Sequence, residues 1–237
     1  FGKGRARVKV GIIGLTLKGT PELVAPGGIK GLTFGDEADA INALVPRLKA
    51  KGADAVVVLI HQGGSQASSG NPGGCDGLTG EIRPILDRLD PRVDLVVSGH
   101  THKAYVCDYA ALNPAHPLLL TSAGVYGELV TDIELEIDPR AGRVVAKRAS
   151  NVIVQSQGYT GSRGAVEPSA LYPQFAPRPD VAAYVGTYVE AAGTYARRPV
   201  GALTGPASGS ALGNLIADAQ LAATRGAGAQ IALMNPF

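Results

Sequence analysis

Two stretches decide how this chain folds: Ala55-Val56-Val57-Val58-Leu59-Ile60-His61-Gln62-Gly63-Gly64, and Asp94-Leu95-Val96-Val97-Ser98-Gly99-His100-Thr101-His102. Each begins as an apolar run of strand length without polar alternation, the pattern of a parallel strand covered on both faces. Each then ends in glycine and histidine. In open α/β sheets, ligand sites lie outside the carboxyl ends of the strands, so the positions of His61, His100 and His102 are informative in themselves. Strands are expected over residues 53–60 and 93–97.

Working outward, residues 8–13 form another apolar strand ending at Gly14. Between it and the first run, Asp36 can cap a helix in which Ala38, Ile41, Leu44, Val45 and Leu48 recur at helical spacing, with Gly52 closing it. Pro46 lies inside that pattern and predicts a kink or break. Residues 62–78 read as a Gly/Ser/Asn/Pro loop, long enough to be functional or mobile. A short helix from Thr79 carries Ile82, Ile85, Leu86 and Leu89.

Beyond the second run the pattern changes to consecutive strands at 105–109, 117–121, 129–138 and 143–154, the last two joined by the turn Asp138-Pro139-Arg140-Ala141-Gly142. Alternating strands and helices followed by strands alone fit a layered α/β sandwich. Residues 155–179 read as a linker. Asp180 then opens a helix with Val181, Tyr184, Val185, Tyr188 and Val189 on one face. A strand at 200–203, a helix at 211–224 and a strand at 231–234 resemble the start of a second α/β domain.

Composition excludes some functions. Over 237 residues, 45% are hydrophobic and 18% charged, a globular balance. A net charge of +2 with scattered basic residues provides no stripe for a nucleic-acid polymer. Lys3, Arg5, Arg7 and Lys9 do cluster, but at every second position, as on the solvated face of a strand. No apolar run approaches the ~20 residues needed to span a bilayer as a helix. With neither a starting methionine nor a signal-peptide pattern, the chain reads as a piece of something longer.

The two cysteines, Cys75 and Cys107, lie in polar, Gly-rich or strand-edge surroundings and admit three readings. A disulfide would close a loop of about 30 residues and contribute about 3–4 kcal/mol in an oxidising compartment. Two free thiols, or a Cys–His metal site using the nearby His102, are the alternatives. The disulfide is the preferred reading.

A single histidine at a strand end is usually structural. Three of the four histidines at the ends of two neighbouring strands point instead to metal binding, whereas His116 in Asn113-Pro114-Ala115-His116-Pro117 reads as a surface turn residue. A turn after Gly99 could bring the imidazoles of His100 and His102 into one cluster. Imidazole suits Mn, Zn, Fe, Co and Ni, so the metal stays open. No carboxylate occupies a comparable strand end, and two adjacent cations need one to offset their repulsion. The visible site is half a site.

The segments Ile60-His61-Gln62-Gly63-Gly64 and Ser98-Gly99-His100-Thr101-His102 resemble the last two metal-binding motifs of calcineurin-like metallophosphoesterases. The secreted or periplasmic 5′-nucleotidases, with their cyclic-nucleotide phosphodiesterase and nucleotide-sugar hydrolase relatives, are the most similar branch. Further segments match it in order: Val10 to Thr16, Ala123-Gly124-Val125-Tyr126-Gly127, Gly213 to Ala219, and Ala232-Leu233-Met234-Asn235-Pro236.

The resemblance implies a partial α/β/β/α sandwich over residues 1–155, a linker and connecting helix over 156–197, and the beginning of a second α/β domain over 198–237. It implies two divalent metal ions, with His61 and His100 on one and His102 on the other. The remaining ligands and the catalytic groups would precede Phe1, so no catalytic residue is expected within the chain. Asn235 would lie near the substrate cleft, and the Asp180 helix would act as an interdomain hinge. The implied activity is hydrolysis of a small nucleotide phosphoester in an extracytoplasmic setting. A thiosulfohydrolase-like relative and a non-catalytic surface module that has lost its metals are the alternatives.

Overall fold

A computed structural model describes residues 1–2, 4, 7–67, 70–161 and 164–234. The chain divides into two units, Phe1–Phe175 and Ala176–Phe237.

The first unit is built on a five-stranded sheet. Its first strand, β1 (Val10–Leu15), starts two residues later than the apolar pattern indicates and runs through Gly14. A single turn, α1 (Thr20–Leu23), precedes α2 (Glu37–Ala50). Asp36 caps α2 by accepting the Asp39 N–H, and Ala38, Ile41 and Val45 are fully buried against the sheet. Each buried aliphatic side chain the size of Val or Ile contributes about 1.5–3 kcal/mol. The helix continues through Pro46, so of the kink or break expected there the break does not occur. Its apolar face is anchored on both sides of the proline, at Val45 and Leu48, so packing outweighs the one lost hydrogen bond.

The decisive strands follow as β2 (Ala55–Ile60) and β3 (Leu95–Val97), with the short α3 (Ile82–Leu86) between them. Then come β4 (Ala104–Asp108), β5 (Leu119–Ala123) and the long hairpin β6 (Leu129–Asp138) and β7 (Arg143–Ile153). The sheet order is β1-β2-β3-β5-β4, parallel except for β4 against β5. One face packs Val56, Val58, Ile60 and Val96 against α2 and α3. The other packs Val57, Leu95 and Leu119 against Ile133, Leu135 and Ala149 of the hairpin. This gives helices, sheet and hairpin as three layers. The hairpin leaves one corner uncovered, where Ile12 and Leu59 are 62% and 44% exposed.

Cys75 and Cys107 form a disulfide with Cα atoms 5.2 Å apart. Cys107 lies in the core, not at a polar edge, because β4 turns it inward beside Tyr105 and Tyr109. The 62–78 loop is therefore held at several points. Besides the disulfide, Val106 N–H donates to the Gly74 carbonyl, Gln66 to Ala104, and Asn151 of β7 to Pro72. The expected linker contains a small hairpin of β8 (Tyr159–Gly161) and β9 (Gly164–Val166).

The second unit contains two helices, α4 (Pro179–Ala196) and α5 (Ser210–Thr224). The strands expected at 200–203 and 231–234 do not form among the described residues. β-Structure needs a neighbouring strand to take its N–H and C=O groups, and neither segment has one. No residue of either helix is buried, and the α4 face of Val181, Tyr184, Val185, Tyr188 and Val189 is exposed. Asn235 lies outside the described residues. Among those residues, no helix is long and apolar enough to cross a membrane.

Candidate functional site

Parallel pairing of β2 with β3 puts the two histidine-bearing segments side by side at the carboxyl edge of the sheet. His61 follows β2 directly, with its N–H bonded to the Leu15 carbonyl. His100 lies three residues beyond β3. Its Nδ1 is 3.3 Å from His61 Nε2, and the rings meet edge to face with centroids 5.0 Å apart.

One glycine makes that approach possible, and a second lets the same loop lie against Thr79. A Cβ on Gly63 would lie 2.2 Å from the Gly99 carbonyl oxygen and 2.6 Å from Thr101 Oγ1. A Cβ on Gly64 would lie 2.4 Å from the Thr79 carbonyl oxygen. The segments are then joined by hydrogen bonds: Gly99 N–H donates to the Gln62 carbonyl, and Thr101 Oγ1 donates to the Gly64 carbonyl at 2.7 Å. Gly64 N–H in turn donates to the hydroxyl of Tyr105, which is buried beneath the turn.

The turn itself is strained. His100 and His102 both have positive φ, 68° and 57°. Non-glycine residues rarely adopt this region, and at functional sites such conformations cost roughly 1–3 kcal/mol each. With both histidines left-handed, Thr101 points down to Gly64 while the imidazoles diverge. His102 does not join the His61–His100 pair. It lies beside Tyr126, with ring centroids 6.1 Å apart. Tyr126 also has positive φ, 58°, and its side chain is 89% exposed.

Among the described residues, no three His, Cys, Asp or Glu side chains are grouped closely enough to hold a metal. The His61–His100 pair nevertheless has suitable spacing. Two nitrogens each ~2.0–2.1 Å from one tetrahedral cation are about 3.3–3.4 Å apart. The same 3.3 Å also allows a direct imidazole hydrogen bond, with the donor set by the tautomer. His100 and Gln62 edge an open cleft of about 1110 Å³, also lined by Lys18, Glu37, Glu81 and Arg88. His102 borders a separate hollow of about 350 Å³ with Lys103, Gly124 and Glu128.

No family model matches the chain. In sequence it is 29% identical over 229 residues to Endonuclease YhcR of Bacillus subtilis, covering 96% of this chain and 17% of that protein. It is 26% identical over 162 residues to a 5′-nucleotidase of Diplobatis ommata, covering 62% of this chain and 25% of the relative. Cell wall protein Lmo0130 of Listeria monocytogenes is 37% identical over 101 residues, 40% of this chain and 13% of that one. In structure, a 5′-nucleotidase precursor from Thermus thermophilus superposes with a TM-score of 0.58 at 25% identity, over 93% of this chain and 41% of that one. The chain is similar to the 5′-nucleotidase family over most of its length.

It spans a quarter or less of each sequence relative. The parts of the site that sequence reading did not single out are Ser98, Thr101 and Tyr105, which hold the loops together. An inward-facing tyrosine in a five-residue strand reads as core, and only its hydrogen bonds reveal a second role.

Proposed function

We propose that this chain contributes part of a two-metal centre that hydrolyses phosphoesters of nucleotides. The observation that carries the reading is the His61–His100 pair, two imidazole nitrogens 3.3 Å apart at the carboxyl edge of a parallel sheet. His61 and His100 would hold one divalent cation and His102 a second. Separation of His102 from the pair supports two sites over one. Divalent cations at such a centre neutralise phosphoryl charge and acidify water. The chain's own residues supply imidazole ligands, and Gly63 and Gly64 remove side-chain bulk beside them. The cleft next to His100 has room for a mononucleotide.

In this reading, residues 1–155 are the second half of the catalytic domain. Residues 156–197 form a linker and connecting helix, and 198–237 begin a second domain. Asn235 is a candidate substrate contact. The metals would be two of Mn, Zn, Fe, Co or Ni, and the disulfide and the cell-wall relative favour an extracytoplasmic location.

A second reading has one observation in its favour. The relative aligned over 96% of the chain is named an endonuclease, so the phosphoester could belong to a polynucleotide. The test is metal content and hydrolysis by the longer protein carrying this chain, using nucleoside monophosphates, 2′,3′-cyclic nucleotides and single-stranded DNA. Turnover of the small substrates, lost in His100→Ala with the fold intact, supports the proposal. Turnover confined to DNA selects the second reading. Undiminished turnover in His100→Ala at saturating metal refutes both assignments of that residue.

A further inference from the structure

Beneath the paired histidines lies a one-way chain of hydrogen bonds. Ser98 Oγ donates to the Thr121 carbonyl at 2.8 Å. Its proton is therefore committed, and the 2.7 Å contact between Ser98 Oγ and Tyr105 Oη must have tyrosine as donor. The tyrosine oxygen in turn accepts Gly64 N–H at 3.1 Å. The relay runs from Gly64 through Tyr105 and Ser98 to Thr121, linking the His61 loop to β4, β3 and β5. Tyr105 is fully buried, and Ser98 and Thr121 are 8% and 0% exposed. Thr101 holds the other side of the same glycine, so the N–H and the C=O of Gly64 are both bonded to hydroxyls, those of Tyr105 and Thr101.

We infer that Tyr105 is a positioning residue: its buried hydroxyl, bridging Gly64 and Ser98, sets the separation of His61 from His100. Core packing alone needs only the ring, which phenylalanine supplies equally well. The hydroxyl is needed because Gly64 N–H finds its acceptor there and not on a backbone carbonyl. Without the relay, the loop's remaining ties to the turn are the Gly99–Gln62 and Thr101–Gly64 bonds. The inference rests on the metal reading above for its consequence, but not for its geometry. Residues that orient ligands from behind typically change metal affinity by roughly 10–100-fold when altered.

The test compares the longer protein carrying this chain with its Tyr105→Phe variant in two measurements. Nuclear Overhauser contacts between the His61 and His100 rings report their separation without any metal. Titration with Co²⁺, with His100→Ala as reference, reports ligation. The expected result is an imidazole contact in the parent that is lost or sharply weakened in Tyr105→Phe while the core methyl spectrum is retained. Cobalt affinity should fall by about tenfold or more. An unchanged imidazole contact in Tyr105→Phe overturns the inference, as does its absence from the parent. If the parent and His100→Ala bind cobalt equally weakly, the metal reading fails, and the ring contact still decides the role of Tyr105. Should Tyr105→Phe not fold, Ser98→Ala removes the same link from the other side and is judged by the same criterion.

Discussion

Substituting Gly63 by alanine tests the site most directly, because the added methyl group falls between the two histidine segments. Its Cβ would lie 2.2 Å from the Gly99 carbonyl oxygen, and a Cβ contact under 3.0 Å is essentially never seen. Relief requires the segments to part by roughly 0.8 Å merely to reach that limit, since the obstacle is backbone and has no rotamer to change. Overpacking of this kind costs about 1–3 kcal/mol. For a unit of this size each kcal/mol lowers Tm by about 2–4 °C, so a fall of roughly 2–12 °C is expected. Gly14→Ala is the control, because a Cβ there meets nothing within 4 Å. The assay is thermal unfolding by circular dichroism, alongside cobalt titration of the same samples. Gly63→Ala should melt below the control and lose cobalt binding with it. If it melts with the control and binds cobalt undiminished, the close approach of these segments is not what holds His61 against His100.

Three further perturbations have calculable signs. Replacing Cys75 and Cys107 together by alanine opens a loop with a sequence separation of 32, for a loss of about 3.5–4 kcal/mol, read by calorimetry under non-reducing conditions. Side-chain hydrogen bonds from Arg88 hold Asp36 well below the usual carboxylate range, at about 2. Its contribution is fully present above pH 3.8 and is lost as pH falls through 2, so Asp36→Asn should flatten the acid limb of the stability profile between those values. At the other extreme, burial and then the hydrogen bond to Asp87 push the Tyr109 hydroxyl up to about 12 from 10.0. That contribution is present below pH 10.0 and disappears as pH rises through 12, a slope that Tyr109→Phe should remove in alkaline unfolding curves.

The sheet was legible because each strand that builds it announces itself without help from its neighbours. The β2 and β3 runs are apolar at almost every position, and β6 and β7 emerge with boundaries within a residue of the pattern. Propensity failed where a segment needed a partner. Residues 200–203 and 231–234 are as strand-like as β1, yet find no neighbour and stay irregular. Pro46 did not break its helix, because a local penalty yielded to the burial of Ile41 and Val45 on the same helix. Within the site, the histidines were visible as residue types at strand ends. Their grouping could not be read from the strand pattern, since it depends on two φ angles and on a tyrosine that reads as core; the pairing of His61 with His100 came only from the resemblance.

Those two angles explain why His100-Thr101-His102 does not act as a single bidentate clamp. In an extended segment the two histidines would share one face and Thr101 the other. With φ positive at both, the backbone curls at each histidine, and their side chains meet different neighbours, His61 and Tyr126. Only Thr101 points inward, and its bond to Gly64 is one of the contacts that offset the strain. Relaxing either histidine to ordinary backbone would remove a cost of roughly 1–3 kcal/mol but would swing an imidazole away from its present position. A fold with no use for the imidazoles gains nothing by maintaining that strain, since glycine would occupy the same angles freely. Two histidines held where glycine would be easier are the observation that most favours the proposed ligand site at this edge of the sheet.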